Sequence, residues 1–187
     1  MTKQDDPVAS RNVLEMLTVA HEYCLFTEKA DTYTQEEILD YMQKIGPLLY
    51  LKGTLLPDIV PEYPEANERY ITEEQWENVF NILKDKFGEY DQYWYHDYNS
   101  IDINDPIKGS LADNFADIYQ DLKDFTLLFQ KNSIAAKENA IAELKQLFVS
   151  HWGFRLVTAH RYLHYLLMAQ KKPQAAEDTP NLVESMD

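Results

Sequence analysis

The chain's last long apolar segment, from Ala135 to Lys172, limits the fold more than any other feature. Its main stripe recurs every three to four positions, as helical period requires, and consists of Leu144, Phe148, Trp152, Leu156, Ala159, Leu163 and Leu167. A second set widens the stripe to most of the circumference: Leu147, Phe154, Val157, Tyr162 and Tyr165. Helices that are apolar on nearly every side are enclosed by others. The pattern therefore predicts a long, central C-terminal helix.

Capping signals divide the preceding residues into further helices. Thr34 is followed by Glu37, and Thr72 by Gln75, at the spacing of a capping box. Two serines can cap two more helices: Ser10 and Ser110. Strand-like alternation is nearly absent. The helical period and these caps predict an all-α fold.

Irregular regions complete the predicted organisation. Gly46-Pro47 predicts a kink, residues 57–64 a proline-rich crossing, and residues 89–109 an aromatic loop. The polar ends, 1–9 and 173–187, are expected to be a flexible N-terminus and a disordered acidic tail. We therefore predict a single-domain bundle of five or six helices over residues 10–172, built around a largely buried C-terminal helix.

The charge distribution bears on the partner class. The chain has 17 basic and 32 acidic residues, a formal net charge of −15. Acidic residues concentrate between positions 58 and 132, whereas positions 133–172 carry a basic excess. An acidic surface repels phosphate backbones, so direct nucleic-acid binding is disfavoured, while a basic protein partner is attracted.

The sequence also bears on the compartment. It contains no uninterrupted run of 18 apolar residues and no basic-then-apolar leader, so neither a membrane span nor a signal peptide is expected. The single cysteine, Cys24, excludes an internal disulfide and fits a reducing compartment. We therefore expect a cytoplasmic protein, and homo-oligomerisation stays open.

Several stretches together resemble a known family. They are Tyr23-Cys24-Leu25-Phe26 with Glu28-Lys29, LLYLKGTLLP from Leu48 to Pro57, YITEEQWENV from Tyr70 to Val79, GSLADNFADIYQDLKDF from Gly109 to Phe125, and HWG from His151 to Gly153. Over about Val13 to Leu167, the chain resembles a bacterial family described as a domain of unknown function, family 5063. The resemblance implies a small helical bacterial domain. It brings no assigned activity, and no functional residue is carried over.

Four potential metal ligands occur as two pairs at helical spacing. His160 and His164 lie four positions apart, and His21 and Cys24 lie three apart. Three nitrogens and one thiolate would suit zinc. However, neither pair belongs to a His-Glu-x-x-His motif, and Cys24 also fits an apolar stripe as a small hydrophobic residue. The pairs are candidates only, and the sequence predicts no metal and no cofactor.

Four aspartates follow at i, i+4, i+8 and i+11: Asp113, Asp117, Asp121 and Asp124. Helical di-iron sites need Glu-x-x-His on two helices, and no Glu in this sequence has a His three residues later. The stripe is therefore interpreted as solvated, or as paired with Arg155 and Arg161 of the basic segment.

His151 and Arg155 are four positions apart, so their side chains share one face of a helix. Together with Asp117, Tyr119 and Asp121 they are a candidate ligand pocket or a buried ion network. We favour the network, because long basic side chains commonly run along a core edge with their charge paired.

The predicted loop contains five aromatic residues: Tyr90, Tyr93, Trp94, Tyr95 and Tyr98. Tyrosine and tryptophan offer large contact area at small entropic cost, so the cluster could grip a peptide or a sugar. The alternative, which we favour, is a lid folded over helix ends. The candidate partner surface consists of Tyr93, Trp94, Tyr95, Asp113 and Asp124.

We therefore interpret the chain as a non-catalytic acidic helical module that binds another protein. The runner-up is an enzyme or ligand-binding protein with a polar pocket between the helices at 113–124 and 147–164. A third interpretation is a nucleic-acid mimic that binds a basic protein. The sequence contains no phosphate-binding glycine loop, nucleophile elbow or dinucleotide fingerprint.

Overall fold

A computed structural model describes residues 7–97 and 105–170, and these residues form six α-helices and one short hairpin. The helices are α1 (Arg11–Glu28), α2 (Gln35–Thr54), α3 (Glu73–Phe87), α4 (Leu111–Phe129), α5 (Ile134–Ser150) and α6 (Trp152–Gln170). Strands β1 (Gln92–Tyr95) and β2 (Ile107–Ser110) pair antiparallel. Helical residues make up 76% of these ranges, which confirms the all-α bundle.

The first four helices begin at the predicted capping residues: Ser10, Thr34, Thr72 and Ser110. Each side chain accepts a hydrogen bond from the backbone N–H three residues further on. At the two threonines, Glu37 and Gln75 bond back to the cap and complete capping boxes. These contacts satisfy donors that the first helical turn leaves unpaired. The starts of α1 to α4 are therefore encoded locally.

The most deeply buried helix is α4, and the prediction of a central C-terminal helix is wrong. Fifteen of the nineteen α4 residues are buried, against five of the seventeen in α5. Helices α1, α3, α5 and α6 all pack against α4. The core is therefore built around the helix that carries the aspartate stripe, with Phe115, Ile118 and Leu122 on its inner side.

The predicted continuous C-terminal helix is divided in two. Helix α5 ends at Ser150, and His151 adopts φ −140° and ψ −87°, outside the helical region. A Cβ at Gly153 would lie 2.2 Å from the carbonyl oxygen of Phe148, so only glycine allows this close junction. Helices α5 and α6 bury different faces. When their residues are placed on one continuous helix, the apolar positions therefore cover nearly every side.

The irregular regions partly follow the predictions. Helix α2 runs unbroken through Gly46-Pro47, and its packing against α6 outweighs the lost backbone donor. The proline-rich crossing is non-helical except for a 3-10 turn at Pro64–Ala66.

The N-terminal end is ordered from before residue 10, because Pro7–Ala9 forms another 3-10 turn with Val8 buried. The predicted tail, 173–187, lies outside the described residues.

The region predicted as an aromatic loop, residues 89–109, includes strand β1 and most of strand β2. Trp94 pairs with Lys108, and Tyr93 with Gly109. Residues 98–104, including Tyr98, lie outside the described ranges. Among the helices of those ranges, none is long and apolar enough to cross a membrane.

Candidate functional site

An ion network joins α4 to the start of α6. Arg155 Nη1 lies 2.8 Å from Asp113 Oδ2, and Arg155 Nε lies 2.6 Å from Asp117 Oδ2. His151 Nδ1 lies 2.6 Å from Asp121 Oδ2. The expected pairing of the aspartate stripe with a basic side chain is therefore present at Arg155, whereas Arg161 is exposed.

The protonation of this network follows from its distances. Arg155 Nε carries one hydrogen, and two acceptors lie within reach: Asp117 Oδ2 at 2.6 Å and His151 Nε2 at 3.0 Å. The hydrogen is donated to Asp117, because its oxygen is closer. Hydrogen bonding to Asp117 and then to Asp121 raises the pKa of His151 to about 9, so the imidazole is charged at neutral pH. The second Asp117 oxygen accepts from Trp76 Nε1 at 2.8 Å.

The network leaves little for catalysis. A histidine that is charged and held between two carboxylates is a poor general base at neutral pH. Tyr119, predicted to join this group, instead donates to Glu28 Oε1 at 3.0 Å, and Glu28 also pairs with Lys123. The five residues of the candidate pocket are therefore divided between two polar groups, and the larger one is a structural ion network.

Asp124 connects the residues just before α3 to α4. Its Oδ1 accepts hydrogen bonds from the backbone N–H groups of Tyr70 at 2.7 Å and Ile71 at 2.9 Å. Its Oδ2 is buried without a hydrogen-bond partner, and burial raises the pKa of this carboxyl group. A neighbouring cavity of about 10 Å³, also lined by Asp121 and Glu143, has room for one water molecule. The cavity is too small for a substrate.

The candidate partner surface does not assemble as predicted. Tyr93 is only 5% exposed, stacks on Tyr162 at 4.5 Å between ring centroids, and accepts a hydrogen bond from Asn114 Nδ2. Asp124 is buried, whereas Trp94 is 67% exposed. Successive residues of a strand point to opposite faces, so neighbouring aromatic residues cannot all face solvent. Tyr95 is half-buried and Asp113 is paired with Arg155.

The four candidate metal ligands are not brought together. In residues 7–97 and 105–170 no group of three or more His, Cys, Asp or Glu side chains is placed to hold a metal ion. Cys24 is fully buried, and burial raises the pKa of its thiol. His21 and His164 are exposed, while His160 packs against Gly46 of α2.

The structure reveals a surface that the sequence interpretation missed. One side of α6, which we name the outer face, exposes Phe154, Val157, Tyr165 and Met168 by 60%, 51%, 67% and 37%. The residues Arg161 and His164 lie on the same side and are exposed. The sequence pattern predicts three of these residues, Phe154, Val157 and Tyr165, to be enclosed by other helices. The apolar pattern of residues 135–172 contains more apolar residues than one helix buries on one face. This excess was a signal that some of them stay exposed.

Helix α2 packs against the last two helices through two close approaches, at Gly46 against α6 and at Gly53 against the end of α5 and the start of α6. A Cβ at Gly46 would meet His160, and one at Gly53 would lie 2.6 Å from the rings of Phe148 and Trp152. Helix α2 also exposes the large apolar residues Leu48, Tyr50 and Leu51, and its C-cap residue Leu55 is exposed. The Tyr50 ring lies edge-on to that of Phe148, with 5.2 Å between the ring centroids. Apolar exposure is therefore concentrated on α2 and α6.

Comparison with known proteins supports the fold and the family. The crystal structure of protein BF1032 from Bacteroides fragilis, a structural genomics target, is 33% identical, with a TM-score of 0.77. The match covers 91% of this chain and 99% of that one. No curated protein matches the chain. The family described as "Domain of unknown function (DUF5063)" matches residues 7–169. The chain therefore belongs to the DUF5063 family.

Proposed function

We propose that this protein is a non-catalytic interaction module that binds another protein through the outer face of α6. One observation carries the proposal: Phe154, Val157, Tyr165 and Met168 are large apolar side chains on one side of one helix, and all are substantially exposed. Grouped apolar exposure of this kind marks contact surfaces, because it costs solubility unless a partner covers it. Aromatic residues such as Phe154 and Tyr165 are also frequent anchors of protein interfaces.

The contact residues proposed here differ from those that the sequence predicts. Asp117, Asp121 and Asp124 are buried, so they do not offer an acidic surface to a basic partner or imitate a phosphate backbone. Trp94 remains exposed on the hairpin and is a second candidate anchor. The recognition chemistry is therefore mainly apolar and aromatic.

The runner-up, an enzyme or ligand-binding protein, lacks support at the residues proposed for it. His151 and Arg155 are occupied by the aspartates of α4. The adjoining cavity holds about one water molecule. Ligand sites normally have volumes of about 300–1,000 Å³, so this cavity does not favour the alternative.

Affinity capture from the native cell tests the proposal, with the partner identified by mass spectrometry and then rebuilt from purified proteins. We expect the double variant Phe154→Ser, Tyr165→Ser to lose the partner while it keeps the wild-type melting temperature, because both side chains are exposed. The matched control is Val60→Ser, since Val60 is 93% exposed on the crossing segment. A partner that the double variant still binds, but a Trp94→Ser variant does not, would move the interface to the hairpin.

A further inference from the structure

The spacing on the outer face indicates the shape of what binds there. The positions 154, 157, 161, 165 and 168 follow in steps of three and four, so they form one row along the side of α6. The row spans fifteen residues, or fourteen steps of an α-helix, which is about 21 Å. A straight row of this kind fits a second helix that lies along it, with its own side chains between those of α6.

The charges on the row indicate the chemistry of that helix. Arg161 lies in the middle, His164 lies beside it, and both are exposed. The α6 sequence contains no Asp or Glu, although the whole chain has a net charge of −15. No carboxylate in the described residues forms an ion pair with Arg161. A docked helix would therefore gain from carboxylates near the centre of its apolar stripe.

A second copy of this chain fits the face poorly. Phe154 and Met168 each lie seven residues from Arg161, and Val157 and Tyr165 each lie four from it. Most dimers have two-fold symmetry. Because the row is symmetric about Arg161, a two-fold dimer formed through this row would place Arg161 of one copy opposite Arg161 of the other. Like charges at the centre of the contact oppose such a dimer, whereas an acidic helix would place carboxylates there.

We propose that the partner presents an acidic amphipathic helix, which lies along the outer face of α6 with its apolar stripe on Phe154 and Tyr165 and its carboxylates near Arg161. This inference rests on the proposed function and names the partner element.

Two fluorescent helical peptides with the same leucine stripe, one flanked by Glu and the other by Lys, test the charge preference on the full-length protein. We expect the Glu peptide to bind at least tenfold more tightly in fluorescence anisotropy. The net charge of −15 would attract the Lys peptide non-specifically, so a preference for Glu reports the local charge of the face. Equal binding, or a preference for Lys, overturns the inference.

Variants locate the binding. We expect Arg161→Glu to abolish the preference for the Glu peptide, and Phe154→Ser with Tyr165→Ser to weaken its binding at least tenfold. Val60→Ser serves as the control and should bind normally. Circular dichroism checks that each variant is folded. Glu-peptide binding that survives all the α6 changes overturns the inference, as does a dimer in analytical ultracentrifugation that Phe154→Ser dissociates.

The two proposals fail in different ways. If cellular capture finds a partner that requires Phe154 and Tyr165, but the Glu peptide does not bind, the acidic-helix inference is wrong and the interaction module stands. If the captured partner is insensitive to both residues, the proposed function itself is wrong at this surface, whatever the peptides do.

Discussion

Two ionisable residues at the α4 surface show how burial and pairing act in different ways. Asp124 is buried with one oxygen unpaired, and desolvation raises the pKa of its carboxyl group. His151 also has a raised pKa, but the main cause is hydrogen bonding to Asp117 and Asp121, which stabilises the charged form. The first group is therefore costly when ionised, and the second stabilises the fold when ionised.

We predict that Asp124→Asn preserves or raises stability at pH 7. The amide oxygen can still accept from the N–H groups of Tyr70 and Ile71, and the unpaired buried charge is removed. Asp124→Ala should instead lower the free energy of unfolding by about 2 kcal/mol, because two N–H groups lose their acceptor. Urea unfolding of the three proteins measures both effects. Equal losses in the Asn and Ala variants would contradict this account.

We predict that His151 makes stability fall between about pH 6.5 and pH 9. Its pKa is about 9 in the folded protein against an ordinary value of 6.5, so the folded state holds a proton that the unfolded state has lost. The contribution is complete below pH 6.5 and disappears as the pH rises through 9. Urea unfolding across this interval should give a flatter profile for His151→Gln, and parallel profiles would contradict the assignment.

At the scale of elements, the contact of α2 with α5 and α6 depends on two glycines. Gly46 meets His160, and Gly53 meets the rings of Phe148 and Trp152. The sequence predicts a kink at Gly46-Pro47, because proline removes a backbone hydrogen-bond donor. In the structure α2 continues through both residues, so the packing requirement explains the glycines better than a kink does.

We predict that Gly53→Ala destabilises the protein although alanine is the better helix former. The added Cβ would lie 2.6 Å from atoms of Phe148 and Trp152, and overpacking of this kind costs about 1–3 kcal/mol. The exposed neighbour Thr54 provides the control, since Thr54→Ala adds no atom to the contact. Thermal denaturation of both variants measures the difference. A Gly53→Ala protein as stable as the wild type would show that the helices separate without cost.

At the scale of the whole molecule, the net charge of −15 acts on a compact chain. Several basic side chains already form ion pairs with nearby carboxylates, among them Arg155, Lys52, Arg69 and Lys123. The remaining carboxylates repel one another across the surface, and this repulsion favours expansion of the chain.

We therefore predict that the melting temperature rises when NaCl is increased from 10 mM to 200 mM, because salt screens the repulsion at distances beyond about 10 Å. For a chain of this size, about 1 kcal/mol corresponds to about 2–4 °C. Differential scanning calorimetry measures the shift, and KCl should give the same shift if ionic strength is the cause. A fall in melting temperature would mean that the ion pairs outweigh the general repulsion.

The sequence by itself determined where α1 to α4 begin and that the chain is helical. Ser10, Thr34, Thr72 and Ser110 act within three residues along the chain, so no knowledge of the fold was needed. The aspartate spacing also placed four carboxylates on one side of α4, and Arg155 was a candidate partner from charge alone. Family membership could likewise be predicted from stretches distributed over most of the chain.

Only the tertiary structure decided which helix is central, where the C-terminal segment breaks, and which apolar residues stay exposed. Periodicity shows that a face would gain from burial, but it does not show whether a neighbouring helix covers it. Phe154 and Trp152 have the same apolar character, yet Trp152 is enclosed and Phe154 is 60% exposed. The physical reason is that burial depends on the arrangement of all six helices, whereas a cap depends on one turn of one helix.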